Sequence, residues 1–421
     1  MPLRRRLDVL GEPNYRRLFL GRTASMVGDG MAPVAIAFAI LGLDGSATDL
    51  GIVLAAHSIV VTALVLVGGV VADRVSPRVA MLRADLVSMT ATGVIALLLL
   101  TGSAEIWHLV ALYAINGGAT AFFNPASNAI VPQIVPTPRL QEATALLNLS
   151  RYAGKVAGPA LAGVLLALGS PGSALAVDAA TFGVSAACLV GVRAPRLPRA
   201  TEENAFFAEL RHGWREFVSR DWLVAVVLSA AISNALFFSC FQVLGPAIAE
   251  AELGGSSSWA LIAALWGFGG VIGGGLALAV RPRRPLLVSE TAILILATPI
   301  ALLAIPTTAV VVAAGALVAG TASGLTVVLY ETAMVEHVPQ EALSRVLAYD
   351  WFGSLALEPL GLALIGPLAA GIGTSETLWI AAAVITLCQL AVLLVPGVRH
   401  LERVPGTGPP TPPPRPIEPG D

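Results

Sequence analysis

The residues of this 421-residue sequence that can do chemistry are charged groups stranded inside long apolar runs. Asp29 interrupts one run within Gly28-Asp29-Gly30. Arg151 and Lys155 stand four residues apart in another, a spacing that puts both on one face of a helix. Asp178 lies in a third run, and Glu358 lies beside Pro359 in a fourth. An ionisable group at the centre of a membrane span costs about 2.5–3.5 kcal/mol to insert, so it marks function by default. A carboxylate there takes up and releases a proton, or holds a cation. Asp29 is accordingly the first candidate for proton or cationic-substrate binding; the alternative is a structural partner for a nearby arginine. Arg151 and Lys155 suit an anionic substrate, or neutralise Asp29 or Asp178. Glu358 is the coupling candidate of the later runs, ahead of Asp350 and of Glu331, which is read as an ion-pair partner of Arg345. His57 can carry a switchable charge, or sit hydrogen-bonded inside a bundle. Phe122, Phe123, Phe237, Phe238, Trp266 and Trp351 can wall a cavity, with core or lipid packing as the default.

Other chemistry is excluded. A phosphate-binding loop ends in Gly-Lys-Ser/Thr, whereas the only lysine, Lys155, is followed by Val156. Cys188, Cys240 and Cys388 are far apart within apolar runs, which suits small core hydrophobes rather than a disulfide or metal framework. No Gly-x-Ser-x-Gly elbow, metal-ligand spacing or nucleic-acid footprint occurs. The reading is of a protein that is not an enzyme and needs no cofactor and no nucleic acid.

The elements that must position these groups are membrane helices. The sequence is 56% hydrophobic and 12% charged, with a mean hydropathy of +0.80. A soluble domain is about 25% charged, so this chain must face a second, apolar solvent. Runs long enough to span a bilayer fall near 15–41, 49–71, 79–101, 105–130, 141–168, 173–192, 222–248, 257–280, 285–305, 308–334, 344–371 and 376–396. They are continuous rather than alternating, which indicates helices and not a barrel. The even-numbered loops and both ends hold the arginines: Arg74 and Arg78, Arg139, six between Arg193 and Arg220, Arg281 to Arg284, Arg345, and Arg399 with Arg403. The odd loops hold Asp44, Asp49, Glu105, Glu250, Glu252 and Glu376, and no Lys or Arg. The positive-inside rule then predicts twelve spans with both termini cytoplasmic. The basic N-terminus lacks a cleavage site, so the first helix is read as retained.

The domain organisation follows. Residues 1–192 and 222–400 form two six-helix bundles. Residues 193–221 form a linker whose Phe206, Phe207, Leu210, Trp214 and Phe217 share a helix face, lying on the membrane or against the bundle. Residues 401–421 form a Pro-rich tail read as disordered. Val135-Pro136-Thr-Pro-Arg139-Leu140 and Val338-Pro339-Gln-Glu-Ala-Leu343 open equivalent helices of the two halves. This is an all-α membrane protein with two pseudo-symmetric bundles around a central cavity, the architecture of a transporter.

The segment from Gly69 through Asp73 and Arg74 to Arg78 resembles the signature loop of the major facilitator superfamily, with Ser76 and Pro77 where that loop has Gly and Arg. The resemblance implies a gating pair, with Asp73 facing Arg78 or Arg83; Arg83-Ala84-Asp85 extends the motif. Gly154, Gly158, Pro159 and Gly163, with Ala162 in place of one glycine, are similar to the helix motif of its antiport branches. Phe122-Phe-Asn-Pro125-Ala126, Val131-Pro132 and Val135-Pro136 resemble a branch that includes siderophore exporters and macrolide-efflux-like proteins. What the resemblance implies is proton-coupled export of a small hydrophobic or siderophore-like molecule by a monomer in the inner (plasma) membrane. The alternatives are an importer or facilitator, and a non-transporting sensor of the same fold.

Overall fold

The computed structural model describes residues 8–74, 76–193, 211 and 213–403, without the side chains of 65–74 and of Ser344. Eleven of its helices are long and apolar enough to cross a membrane. They are α1 (Pro13–Leu41), α2 (Ala47–Arg74), α3 (Pro77–Leu100), α4 (Ile106–Ile134), α6 (Pro171–Val190), α7 (Asp221–Leu253), α8 (Ser256–Ala279), α9 (Pro285–Leu303), α10 (Ala309–His337), α11 (Gln340–Ile372) and α12 (Thr374–Val392). A twelfth, α5 (Leu140–Leu168), is as long as α1 but carries Arg151 and Lys155, which lower its hydropathy. Proline at the first or second position starts α1, α3, α6 and α9, where its missing N–H costs nothing.

The helices pair in one pattern twice over. In the first six, α1 packs on α5 and α6, α2 on α4, and α3 on α4 and α6. In the second six, α7 packs on α11 and α12, α8 on α10, and α9 on α10 and α12. The two sets meet through α5 against α8 and α2 against α11. Small residues permit these approaches, as lipid supplies no hydrophobic drive between helices. A Cβ on Gly158 would lie 2.5 Å from the Gly30 carbonyl carbon, and one on Gly366 would lie 2.5 Å from the Thr48 Cα.

The buried apolar residues form three clusters. One runs through both sets of helices at the acidic end: Met31 to Ile40, Leu50, Val53, Ala162, Phe241, Trp259, Ile262, Leu362 and Ile365 belong to it. At the arginine-bearing end the core is divided. Tyr15, Met81, Ile130 and Ala143 belong to a cluster of the first six helices, and Trp222, Leu286, Met334 and Val346 to a separate one of the second six. The two sets are therefore sealed together at one end and parted at the other.

Three details depart from continuous spans. The expected run 344–371 is two helices, Gln340–Leu355 and Glu358–Ile372, with the break just before Glu358-Pro359. Proline removes a backbone donor and clashes with the preceding turn, which ends the first segment. Asn234 of α7 donates to the Ser354 carbonyl at 3.2 Å, supplying a partner near the break. The expected run 222–248 reaches Leu253 through two π-helical turns, Cys240–Leu244 and Ala249–Leu253. The tail read from 401 is held through its third residue, since Arg403 donates its backbone N–H to the Arg283 carbonyl at 2.9 Å and meets Glu336 at 3.4 Å. In the linker, Phe206, Phe207 and Leu210 lie outside the described residues. Trp214 and Phe217 stack at 5.7 Å and pack on Tyr349 of α11, which is the bundle-docked of the two arrangements.

Candidate functional site

The centre of the first six helices is organised around a residue the sequence reading missed. Arg22 of α1 is 8% exposed, and its guanidinium sits 4.7 Å from the centroid of the Phe123 ring of α4. The ring face offers negative charge to a cation removed from water. Arg22 also interacts electrostatically with Asp29 of its own helix, Asp85 of α3 and Arg151 of α5. Asp29 follows Arg22 by seven residues, two helical turns, so both share a face. That spacing was the signal available in the sequence.

Asp29 lies in mid-helix between two packed glycines. Gly28 abuts Asp178 and Thr181 of α6, and Gly30 abuts Gly154 and Gly158 of α5. The Asp29 side chain itself is exposed, so it projects into open space between packed helices. Asp178 proves central rather than near the outer end: it is 1% exposed, and its Oδ1 is buried with no hydrogen-bond partner among the described residues. Asp85 is likewise 1% exposed with Oδ2 unpartnered, and Ser185 of α6 lies against it. Tyr113 interacts electrostatically with both Asp178 and Asp29 and stacks on His57 at 4.5 Å. Two carboxylates, Asp29 of α1 and Asp85 of α3, thus act on one arginine, and a third, Asp178 of α6, acts on Asp29.

The expected pairing of Asp73 with Arg78 or Arg83 lies outside the described residues, as the Asp73 side chain does. On α3, Arg83 is exposed and Asp85 buried. Arg78 donates from Nε to the Leu189 carbonyl at 2.9 Å and from Nη2 to the Val190 carbonyl at 2.7 Å. A cation capping a helix C-terminus satisfies orphan carbonyls and opposes the helix dipole. Arg17 joins it, donating to the Gly191 carbonyl at 2.6 Å. Gly69, Asp73 and Arg74 end α2, and their side chains lie outside the described residues. Gly154 and Gly158 form the α1–α5 crossing, Pro159 is buried within it, and Gly163 meets Ala260 of α8. Arg151 and Lys155 are both exposed, and the Lys155 backbone meets Gly267 of α8.

In the second six helices, Glu358 is half-buried at the first position of the half-helix after the α11 break. Asp350 accepts a hydrogen bond from the Tyr330 hydroxyl at 2.6 Å. Glu290 of α9, unnoticed in the sequence, is 3% exposed with the Ser289 hydroxyl 3.4 Å away. Glu331 interacts electrostatically with Arg151 across the gap between the two sets. Phe237, Phe238, Phe241, Trp259 and Trp266 form one aromatic cluster on α7 and α8.

A cleft of about 370 Å³ opens among α1, α4 and α5, lined in part by Arg22, Asn128, Asn148 and Arg151. The arrangement offers groups that exchange protons beside groups that hold charge, next to a gap between two halves.

The sequence profile of the Major Facilitator Superfamily matches residues 18–356. The chain is 27% identical over 406 residues to the multidrug efflux pump Tap of Mycolicibacterium fortuitum, covering 91% of this chain and 96% of that protein. It is 23% identical over 398 residues to macrolide efflux protein A of Streptococcus pyogenes, covering 92% and 97%. Among solved structures, a peptide transporter, POT, shares the fold with a TM-score of 0.73 at 12% identity over 92% of this chain and 95% of that one.

Proposed function

The chain belongs to the Major Facilitator Superfamily by its match over residues 18–356, and from that premise we propose that it exports a small organic molecule from the cytoplasm in exchange for protons. It is a secondary transporter of the membrane. The observation that carries the export reading is the likeness to efflux pumps over nearly the whole chain, and the core, continuous across both halves at the acidic end and parted at the arginine end, suits alternating access. By the positive-inside rule the arginine end faces the cytoplasm, with both termini there. The structure then corresponds to a cytoplasm-open state, ready to load from inside.

In this reading residues 1–192 and 222–400 move as two bundles about α2–α11 and α5–α8, in the plasma membrane and as a monomer. Asp29 carries the coupling proton, and Arg22 is the charge it answers to. Asp178, exposed by only 1%, is a second proton holder, and Glu358 at the α11 break serves the other half. The Asp73 loop gates the arginine end. Substrates are hydrophobic, drug-like or siderophore-like.

The test is proton movement in proteoliposomes carrying a pH gradient, with lipophilic drugs and siderophores added one at a time. Substrate-dependent collapse of the gradient is expected, reduced at least tenfold in Asp29→Asn with the protein still folded. An unchanged response in that variant would remove Asp29 from the coupling pathway.

A further inference from the structure

We propose that the cleft among α1, α4 and α5 is a binding site for an acidic group, a phosphate or a carboxylate, on an amphipathic ligand. The argument starts from unspent hydrogen bonds. A guanidinium has five N–H donors and a carboxamide has two, and buried donors are almost always paired. Arg22 is 8% exposed, yet among the described residues it makes no hydrogen bond and no ion pair; its guanidinium lies over the Phe123 ring. None of its nitrogens is sealed from the cleft, as each retains accessible surface. Arg151, Asn128 and Asn148 line the open side of the cleft, where they are exposed, and make no side-chain hydrogen bond or ion pair among the described residues. Two cations and two carboxamides thus converge on one space with their donors unused.

The sign of the ligand follows from the lining. No carboxylate lines the cleft, whereas two arginines do. These two arginines repel each other. Like charges held together in a partly desolvated space call for an anion between them. Arginine pairs recognise carboxylate and phosphate oxygens through short, charge-assisted bonds. Asp29 and Asp85 act on Arg22, and Glu331 acts on Arg151, but none of the three lines the cleft. They are competitors that an incoming acid must displace, not occupants. The remaining wall is mostly apolar, with Met26, Val131 and Leu147 beside the hydroxyls of Ser127 and Thr144. An acidic head with a short apolar body matches it, and a volume of about 370 Å³ suits a small molecule.

The acidic group can belong to a soluble export substrate or to an anionic lipid headgroup. The first assignment rests on the exporter reading; the site itself does not. The test uses the full-length protein in discs of neutral phosphatidylcholine, titrated calorimetrically with hexyl phosphate and, separately, with hexyltrimethylammonium. Saturable binding of the phosphate but not of the cation is expected. Binding should weaken about tenfold in Arg151→Gln, and also weaken in Asn148→Leu, which leaves every charge in place. Asp29→Asn should tighten it by removing a competitor, and Arg281→Gln, an exposed arginine outside the cleft, should leave it unchanged. Loss of apparent affinity when phosphatidylglycerol is added to the disc would identify the occupant as a lipid headgroup. Unchanged affinity would identify a soluble acidic solute. Equal binding of the cation, no saturable binding, or wild-type affinity in both Arg151→Gln and Asn148→Leu would overturn the proposal. The measurement involves no gradient and no flux. Export of a cationic drug without anion binding would leave the transporter standing and remove this site, and anion binding without any export would do the reverse.

Discussion

The two sets of six helices share a pairing pattern but solve the problem of buried charge in opposite ways. Within α1–α6, Arg22, Arg151 and Lys155 stand well inside the helices beside Asp29, Asp85 and Asp178. Within α7–α12 the only lysine or arginine is Arg345, close to the start of α11, although Glu290, Glu331, Asp350 and Glu358 are all present. Asp29 and Asp85 of the first half answer to Arg22, and Ser185 also lies against Asp85. Two of the acids in the second half answer to hydroxyls, Asp350 to Tyr330 and Glu290 to Ser289. A neutral donor holds a carboxylate in place without competing for an anionic ligand, whereas a cation can be shared with one. The duplicated scaffold therefore buries an arginine, Arg22, in the first copy and holds two acids by hydroxyls in the second. At the arginine end Arg78 and Arg17 cap α6 through carbonyls, while in the second half Arg403 meets Glu336 at 3.4 Å and Arg284 reaches the exposed Glu402 at 3.9 Å.

This contrast can be broken at its strongest point first. Gly158→Val places a side chain against the Gly30 backbone, where neither helix can yield. We expect a loss of about 1–3 kcal/mol or more, seen as aggregation on size exclusion and a collapsed thermal transition; a wild-type transition would mean that the α1–α5 crossing is loose. Tyr330→Phe removes a donor from Asp350 and should cost about 1–2 kcal/mol of stability. It should leave the pH dependence of transport intact, because Asp350 is a joint and not a carrier. A shifted pH profile in that variant would erase the distinction between the halves. Arg284→Ala is the mildest test, since an exposed pair contributes about 0–1 kcal/mol. We expect less than about 0.5 kcal/mol in thermal unfolding, and a larger loss would show the second half stapled as firmly as the first.

The scaffold was legible because it is written in quantities that repeat. Run length gives each span, and the alternation of arginine-bearing with acidic loops fixes the register. That alternation also held α5 in place despite Arg151 and Lys155, which drop it below the hydropathy of its neighbours. The site was legible in part. Asp29, Asp178 and Glu358 stood out as charges in apolar runs, but what they face depends on helix rotation, which a single sequence does not encode. Arg83 and Asp85 belong to one motif, yet two residues along a helix is more than half a turn, and one is exposed while the other is buried. The break in α11 had only Pro359 as its trace, and proline is equally common within membrane helices that bend without breaking.

The single apolar core at the acidic end has a thermal consequence. In the proposed export cycle α2–α11 and α5–α8 part there, and water then wets residues such as Phe241, Ile262 and Leu362. Exposing apolar surface to water raises the heat capacity. Its cost is largely entropic near room temperature and enthalpic when hot. The balance between the two faces of the protein therefore bends with temperature instead of following one fixed enthalpy. Cooling loosens the outer seal, so the same chain stands differently poised in a cold membrane and a warm one before any solute has bound.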